Sequence, residues 1–129
     1  FDGIDSALCD FNIVGDEIQI QLLHFESSNY ADEVRNRIVE AMPPLTTTMF
    51  DVCALDTLIG QSFALAAKSA ISNSNAEPDL IVSHGQTLFH WIDENNKAQG
   101  TLQLALARAG VAIGEAAFMP IAMSVWSLM

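Results

Sequence analysis

The sequence predicts an α/β fold in which helices pack on a mixed β-sheet. Three observations predict it: period-two alternation of apolar residues early in the chain, two helical segments after it, and a continuous apolar run at residues 79–83. Half of the 129 residues are hydrophobic, which is enough to bury a core within one domain.

The first two elements form a predicted antiparallel hairpin. Strand-forming residues occupy positions 6–13, and residues 14–17 contain the Gly-Asp pair typical of a hairpin turn. In the second strand Ile18, Ile20 and Leu22 alternate with glutamines, so one face is apolar and the other polar.

Two helices follow the hairpin. Ser28 or Asn29 is the predicted N-cap of the first, which carries acidic residues in its first turn and ends at the two prolines 43–44. Thr48 and Asp51 have the spacing of a capping box at the start of the second helix, which is expected to run to about residue 71. Apolar residues surround much of this helix, so we expect it to be largely buried.

The remaining elements are further strands. The apolar run 79–83 favours a strand covered on both faces, as in a parallel sheet. Residues 88–92 and 101–104 are expected to pair as a hairpin around an acidic turn. Residues 105–109 have helix-forming composition.

Composition excludes several classes of function. Five Lys and Arg residues against sixteen Asp and Glu give a formal net charge of −11, so the chain lacks a basic surface for nucleic acid. A phosphorylated ligand would have to be held by backbone amides, a metal ion or a helix terminus. Cys9 and Cys53 are expected to be buried free thiols of a cytoplasmic protein. No secretion signal opens the sequence, and the apolar stretch 116–129 is too short for a membrane span.

The first candidate binding motif lies ahead of the first strand, where Asp2 and Asp5 flank Gly3. A glycine here would let the backbone approach a phosphate, and the carboxylates would hold Mg²⁺ through water. An ordinary acidic turn is the alternative interpretation.

The second candidate motif follows the apolar run 79–83, at the position where ligands bind in open α/β sheets. Gly85 permits a tight turn, and its polar neighbours offer donors and acceptors to a polyhydroxylated ligand. A turn whose side chains satisfy only the backbone is the alternative. Neither motif is a direct metal-ligand cluster, and His24 and His90 are interpreted as structural. The second candidate motif comprises Ser83, His84, Gly85, Gln86 and Thr87.

Four segments of the sequence carry a family resemblance: residues 2–8, 23–26, 79–90 and 101–103. The third of them contains the Ser-His-Gly-Gln-Thr block at 83–87. Together they resemble the N-terminal part of the anhydro-N-acetylmuramic acid kinase family. These are sugar kinases of the actin and hexokinase superfold. The resemblance implies an incomplete ribonuclease H-like lobe over residues 1–104, with 105–129 a divergent apolar segment packed on the same lobe.

The same resemblance implies a reaction. The family uses ATP, Mg²⁺ and water to open the 1,6-anhydro ring of the sugar and phosphorylate its 6-oxygen, giving N-acetylmuramic acid 6-phosphate during cell-wall recycling in the cytoplasm. Asp2, Gly3 and Asp5 would form the tail of the family's phosphate loop. Residues 83–87 would lie near the sugar.

The sequence departs from the family pattern in two places. The Gly-Thr-Ser ahead of the phosphate loop's Asp-Gly is missing, and residues 104–129 contain no aspartate to serve as the family's catalytic base. We therefore expect this chain to be inactive alone, with no catalytic residue of its own. Alternatives are a non-catalytic binding or assembly module associating through its apolar C-terminal segment, as in a homodimer, and an unrelated hydrolase using His84.

Overall fold

The computed structural model of the chain describes residues 3–106, which form two β-hairpins and two helices. The chain is thus mixed α/β, as predicted. In order, the elements are β1 (Ile4–Val14), β2 (Glu17–Ser28), α1 (Asp32–Glu40), α2 (Met49–Ser74), β3 (Gln86–Ile92) and β4 (Ala98–Leu104).

The first hairpin confirms the predicted antiparallel pairing of β1 with β2. Phe11 pairs with Ile20 and Ile13 with Ile18, so the apolar residues of both strands share one face. A β-bulge between Leu8 and Cys9 shifts the register. Four residues of that apolar face, Phe11, Ile13, Ile18 and Ile20, are each more than half exposed within the described residues.

Helix α1 begins later than predicted. Its N-cap is Ala31, which makes no side-chain capping hydrogen bond, so the expectation of a cap at Ser28 or Asn29 was wrong. Ser28 is instead the last residue of β2. Tyr30 is buried in the core, so the chain must pass inward before the helix starts.

Helix α2 confirms the predicted capping box. The Thr48 side chain accepts a hydrogen bond from the Asp51 amide, and the Asp51 carboxylate accepts one from the Thr48 amide. Leu55 and Ile59 on its inner face are almost completely buried, whereas Leu65 is 68% exposed, so the expectation of burial around most of the helix was wrong. By length and composition alone, α2 could cross a membrane. Core helices of soluble proteins share that property, and α2 packs on both hairpins and α1.

The predicted single mixed sheet is not observed. The described residues contain two separate two-stranded antiparallel sheets, β1–β2 and β3–β4, of which the second confirms the predicted hairpin. Residues 79–83 form no strand, contrary to prediction, and Leu80 and Val82 are exposed. An apolar run becomes a buried strand only when neighbouring strands pair with it, and within residues 3–106 none does.

One core joins these elements across α1, α2 and the second hairpin. Ile38, Leu55 and Ile59 are its most completely buried large side chains. Each such burial contributes roughly 1.5–3 kcal/mol. The remaining buried members of the cluster are Tyr30, Val34, Leu88, Leu104 and Ala105.

The end of β4 departs from the expectation of a helix at 105–109. Ala105 is buried in a left-handed conformation with φ of 63°, and its amide donates to the Asp56 carboxylate over 2.7 Å. The remainder of that predicted helix, and the predicted packing of the C-terminal segment beyond Leu106, lie outside the described residues. Both cysteines are free, as expected, but Cys53 is exposed rather than buried and Cys9 is intermediate.

Candidate functional site

A cleft of about 310 Å³ brings the two predicted motifs together. Gly3 and Asp5 from the first motif line it, and so do residues 83–86 from the second. The two motifs are some eighty positions apart in the sequence, so their meeting is a property of the fold. Asp2 lies outside the described residues.

The β1 side of the cleft places the start of the chain close to the end of β2. Ile4 pairs with Ser28 and Asp5 with Ser27, and the Asp5 side chain is exposed. A Cβ atom on Gly3 would lie 2.7 Å from the Ser28 carbonyl oxygen, so this backbone approach requires glycine. Glycine here serves the contact with β2.

The second motif contributes a tight turn centred on Gly85 to the lining of the cleft. The backbone amide of Gly85 donates to the Ser83 hydroxyl over 3.0 Å, and Gly85 is buried with φ of 76°. A Cβ atom at this position would clash with the Leu104 carbonyl oxygen. The Ser83 hydroxyl therefore supports the turn, while the exposed His84 side chain lines the cleft.

Gln86 is the most firmly held polar residue of the second motif. Its side-chain oxygen accepts a hydrogen bond from the Tyr30 hydroxyl over 3.1 Å, and its side-chain nitrogen donates to the Thr87 carbonyl over 3.0 Å. Thr87 lies in β3, and its hydroxyl accepts a hydrogen bond from the Gln103 side chain of β4. Thr87 does not line the cleft.

Sequence reasoning missed the apolar wall between the two motifs. Tyr30 precedes α1, and Phe63 projects from α2 with its ring centroid 6.3 Å from that of Tyr30. Desolvation by burial raises the pKa of Tyr30 to about 12. Tyr30 is the single tyrosine of the sequence, which is the one feature that could have drawn attention to it. The residue that it hydrogen-bonds, Gln86, lies 56 positions away.

The cleft carries little charge of its own. Among the lining residues that fall within 3–106, Asp5 is the one carboxylate and His84 the one imidazole, and none is Lys or Arg. Within residues 3–106, no group of three or more His, Cys, Asp or Glu could hold a metal ion. Mg²⁺ is commonly bound through one or two carboxylates, several waters and substrate phosphates, and Asp5 is the carboxylate present among the described lining residues.

The other two histidines of the chain each have a polar partner. His24 lies 3.0 Å from the Glu26 carboxylate, and His90 lies 2.7 Å from the Thr101 hydroxyl. Glu26 also accepts from Asn73 over 2.8 Å, which joins the end of β2 to α2. The hydrogen bond with His24, followed by that from Asn73, lowers the pKa of Glu26 to about 2.

Comparison with known proteins identifies relatives of this chain. The model of the family described as anhydro-N-acetylmuramic acid kinase matches residues 1–115, slightly beyond the expected boundary at 104. An anhydro-N-acetylmuramic acid kinase of Rhodococcus erythropolis is 43% identical over 105 residues, which cover 81% of this chain and 26% of that protein. A protein of the same name from Streptomyces avermitilis is 40% identical over 105 residues, covering 81% of this chain and 27% of that protein.

A more distant relative shows the same pattern. The anhydro-N-acetylmuramic acid kinase of Caldanaerobacter subterraneus is 37% identical over 110 residues, covering 80% of this chain and 28% of that protein. The chain thus spans about a quarter of the length of the curated relatives it matches. By its family match and these identities, the chain belongs to the anhydro-N-acetylmuramic acid kinase family.

Proposed function

We propose that this chain supplies the sugar-binding cleft of a kinase that opens the 1,6-anhydro ring of anhydro-N-acetylmuramic acid and phosphorylates it to N-acetylmuramic acid 6-phosphate. The observation that carries the proposal is the single cleft lined by both predicted motifs. Family membership supports the choice of substrate, because the relatives are named for this sugar.

Each side of the cleft has a distinct part in the proposal. Residues 83–86 bind the sugar, because they offer an imidazole, an amide and backbone groups to a polyhydroxylated ligand. Asp5 is the side chain that would hold Mg²⁺, and the backbone of Gly3, together with Asp2, would lie beside the ATP phosphates. When bound, Mg²⁺ would neutralise charge on the transferred phosphoryl group.

The proposal includes the wider setting of the protein. The residues of the chain form part of a ribonuclease H-like lobe of the actin and hexokinase type, working in the cytoplasm during cell-wall recycling. Residues 104–129 contain no aspartate to serve as the family's catalytic base, so the proposal takes the chain alone to be inactive. Its partners are the amino sugar and ATP, with no nucleic acid or membrane among them.

A chimera tests this function directly. Residues 3–104 replace the matching segment of the Rhodococcus erythropolis kinase, and ADP release from ATP is measured with Mg²⁺ and 1,6-anhydro-N-acetylmuramic acid. The chimera should release ADP only when the sugar is present, and the 129-residue chain should release none. Gln86→Ala should reduce turnover of the chimera, whereas Thr101→Val on the β3–β4 hairpin should not. Equal loss from both variants would contradict the assignment of residues 83–86 to sugar binding.

A second candidate, an assembly module that forms a homodimer, is favoured by the exposed apolar face of the β1–β2 hairpin. Its expected apolar C-terminal segment lies outside the described residues. Light scattering with size-exclusion chromatography would measure the mass of the chain in solution. A dimer that Ile20→Lys converts to monomer would support assembly through the hairpin, and a monomeric unmodified chain would contradict it.

A further inference from the structure

Tyr30 occupies an unusual place for a core residue, because its ring is buried while its hydroxyl reaches a residue of the cleft. The side chain is 6% exposed and packs within the cluster that contains Ile38 and Ile59. Its hydroxyl donates to the Gln86 side-chain oxygen, linking the start of α1 to the start of β3. A phenylalanine would fill the same space in the core, so what the hydroxyl adds is its hydrogen bond to Gln86.

The Gln86 amide is fixed at both ends as a result. Its oxygen receives the Tyr30 hydroxyl, and one of its two amide hydrogens is used by the Thr87 carbonyl. With the amide plane held in this way, its second hydrogen has a defined direction. Gln86 lines the cleft, so a ligand there would meet a donor that has already lost its rotational freedom.

We propose that Tyr30 is a positioning residue for ligand binding, which acts through its hydrogen bond to Gln86 and sets the direction of the Gln86 amide toward the sugar. This inference rests on the proposed function, because it takes the ligand of the cleft to be the anhydro amino sugar. Tyr30 also lines the cleft, but the role proposed for it is the hydrogen bond to Gln86 rather than a contact with the ligand.

The test measures sugar affinity in the full 129-residue chain by calorimetric titration with 1,6-anhydro-N-acetylmuramic acid. Tyr30→Phe keeps the ring and removes the hydroxyl, so affinity should fall about fivefold, the equivalent of one ordinary hydrogen bond. Thr101→Val is the matched control, since it removes a hydroxyl that pairs with His90 on the second hairpin, away from the cleft. The control should leave affinity unchanged.

A double-mutant cycle separates positioning from a general structural effect. If Tyr30 acts through Gln86, then adding Tyr30→Phe to Gln86→Ala should cause no further loss of affinity. An additive loss overturns the inference while leaving the sugar site standing. Unchanged affinity in Tyr30→Phe alone does the same, whereas an unmodified chain that fails to bind the sugar overturns the proposed function and the inference together.

A measurement on the unmodified chain keeps the inference testable if Tyr30→Phe fails to fold. The side-chain amide resonances of Gln86 are followed by ¹⁵N-resolved NMR during the same titration. Their movement with sugar, at the concentration where binding occurs, is the expected result. Binding that leaves these resonances in place overturns the role of Gln86 and, with it, that of Tyr30.

Discussion

Replacing Gly85 with alanine should cost far more stability than the same change at Gly15. Both glycines have left-handed backbone angles, with φ of 76° at Gly85 and 63° at Gly15. An alanine in that region costs roughly 1–2 kcal/mol on conformational grounds alone. The new methyl group at Gly15 would meet no atom within 4 Å, whereas at Gly85 it would clash with the Leu104 carbonyl oxygen and lie 3.2 Å from Leu106 Cγ.

The clash adds an overpacking penalty of roughly 1–3 kcal/mol at Gly85, because the obstacle is backbone of β4 rather than a flexible side chain. The expected loss in the free energy of unfolding is therefore about 2–5 kcal/mol for Gly85→Ala and about 1–2 kcal/mol for Gly15→Ala. Urea denaturation followed by circular dichroism measures both. Equal losses for the two variants would refute the close contact between the turn and β4.

Three further changes test the surrounding structure. Thr48→Ala should lower the free energy of unfolding by about 1 kcal/mol, because the capping box of α2 is lost, while Thr48→Ser should retain most of it in the same denaturation assay. Asp56→Ala should cost about 1.5–3 kcal/mol, because the buried Ala105 amide loses a charged acceptor; a neutral result in urea denaturation would contradict that hydrogen bond. The pKa of Glu26 is lowered from 4.5 to about 2, so its stabilising effect should be complete above pH 4.5 and disappear as the pH falls toward 2. Glu26→Gln should flatten that part of the profile of melting temperature against pH, and an unchanged profile would exclude the His24–Glu26–Asn73 junction.

Local features of the fold were predictable because their causes lie close together in the sequence. The β1–β2 hairpin depends on alternation and a Gly-Asp turn a few residues apart, and the capping box depends on Thr48 and Asp51. The start of α1 was not predictable in this way. Tyr30 is drawn into a core built largely from α2 and the second hairpin, so the helix begins after it.

Partnerships between distant residues account for the remaining differences. The run at 79–83 has the composition of a buried strand, but strand formation depends on neighbours that composition does not reveal. In the site, the Ser83–Thr87 motif was visible as a polar segment, whereas the hydrogen bond from Tyr30 to Gln86 spans 56 positions. The carbonyl oxygen that would clash with a Cβ atom at Gly85 also comes from a distant residue, Leu104 of β4.

The central claim is that two motifs some eighty positions apart in the sequence line one cleft, in which residues 83–86 bind the sugar. Amide resonances of the ¹⁵N-labelled chain, followed during titration with 1,6-anhydro-N-acetylmuramic acid, test it most directly. Residues 3–8 and 83–86 should shift together with a single affinity, while the turn between β3 and β4 stays unchanged. Shifts confined to one motif, or two different affinities, would contradict the claim.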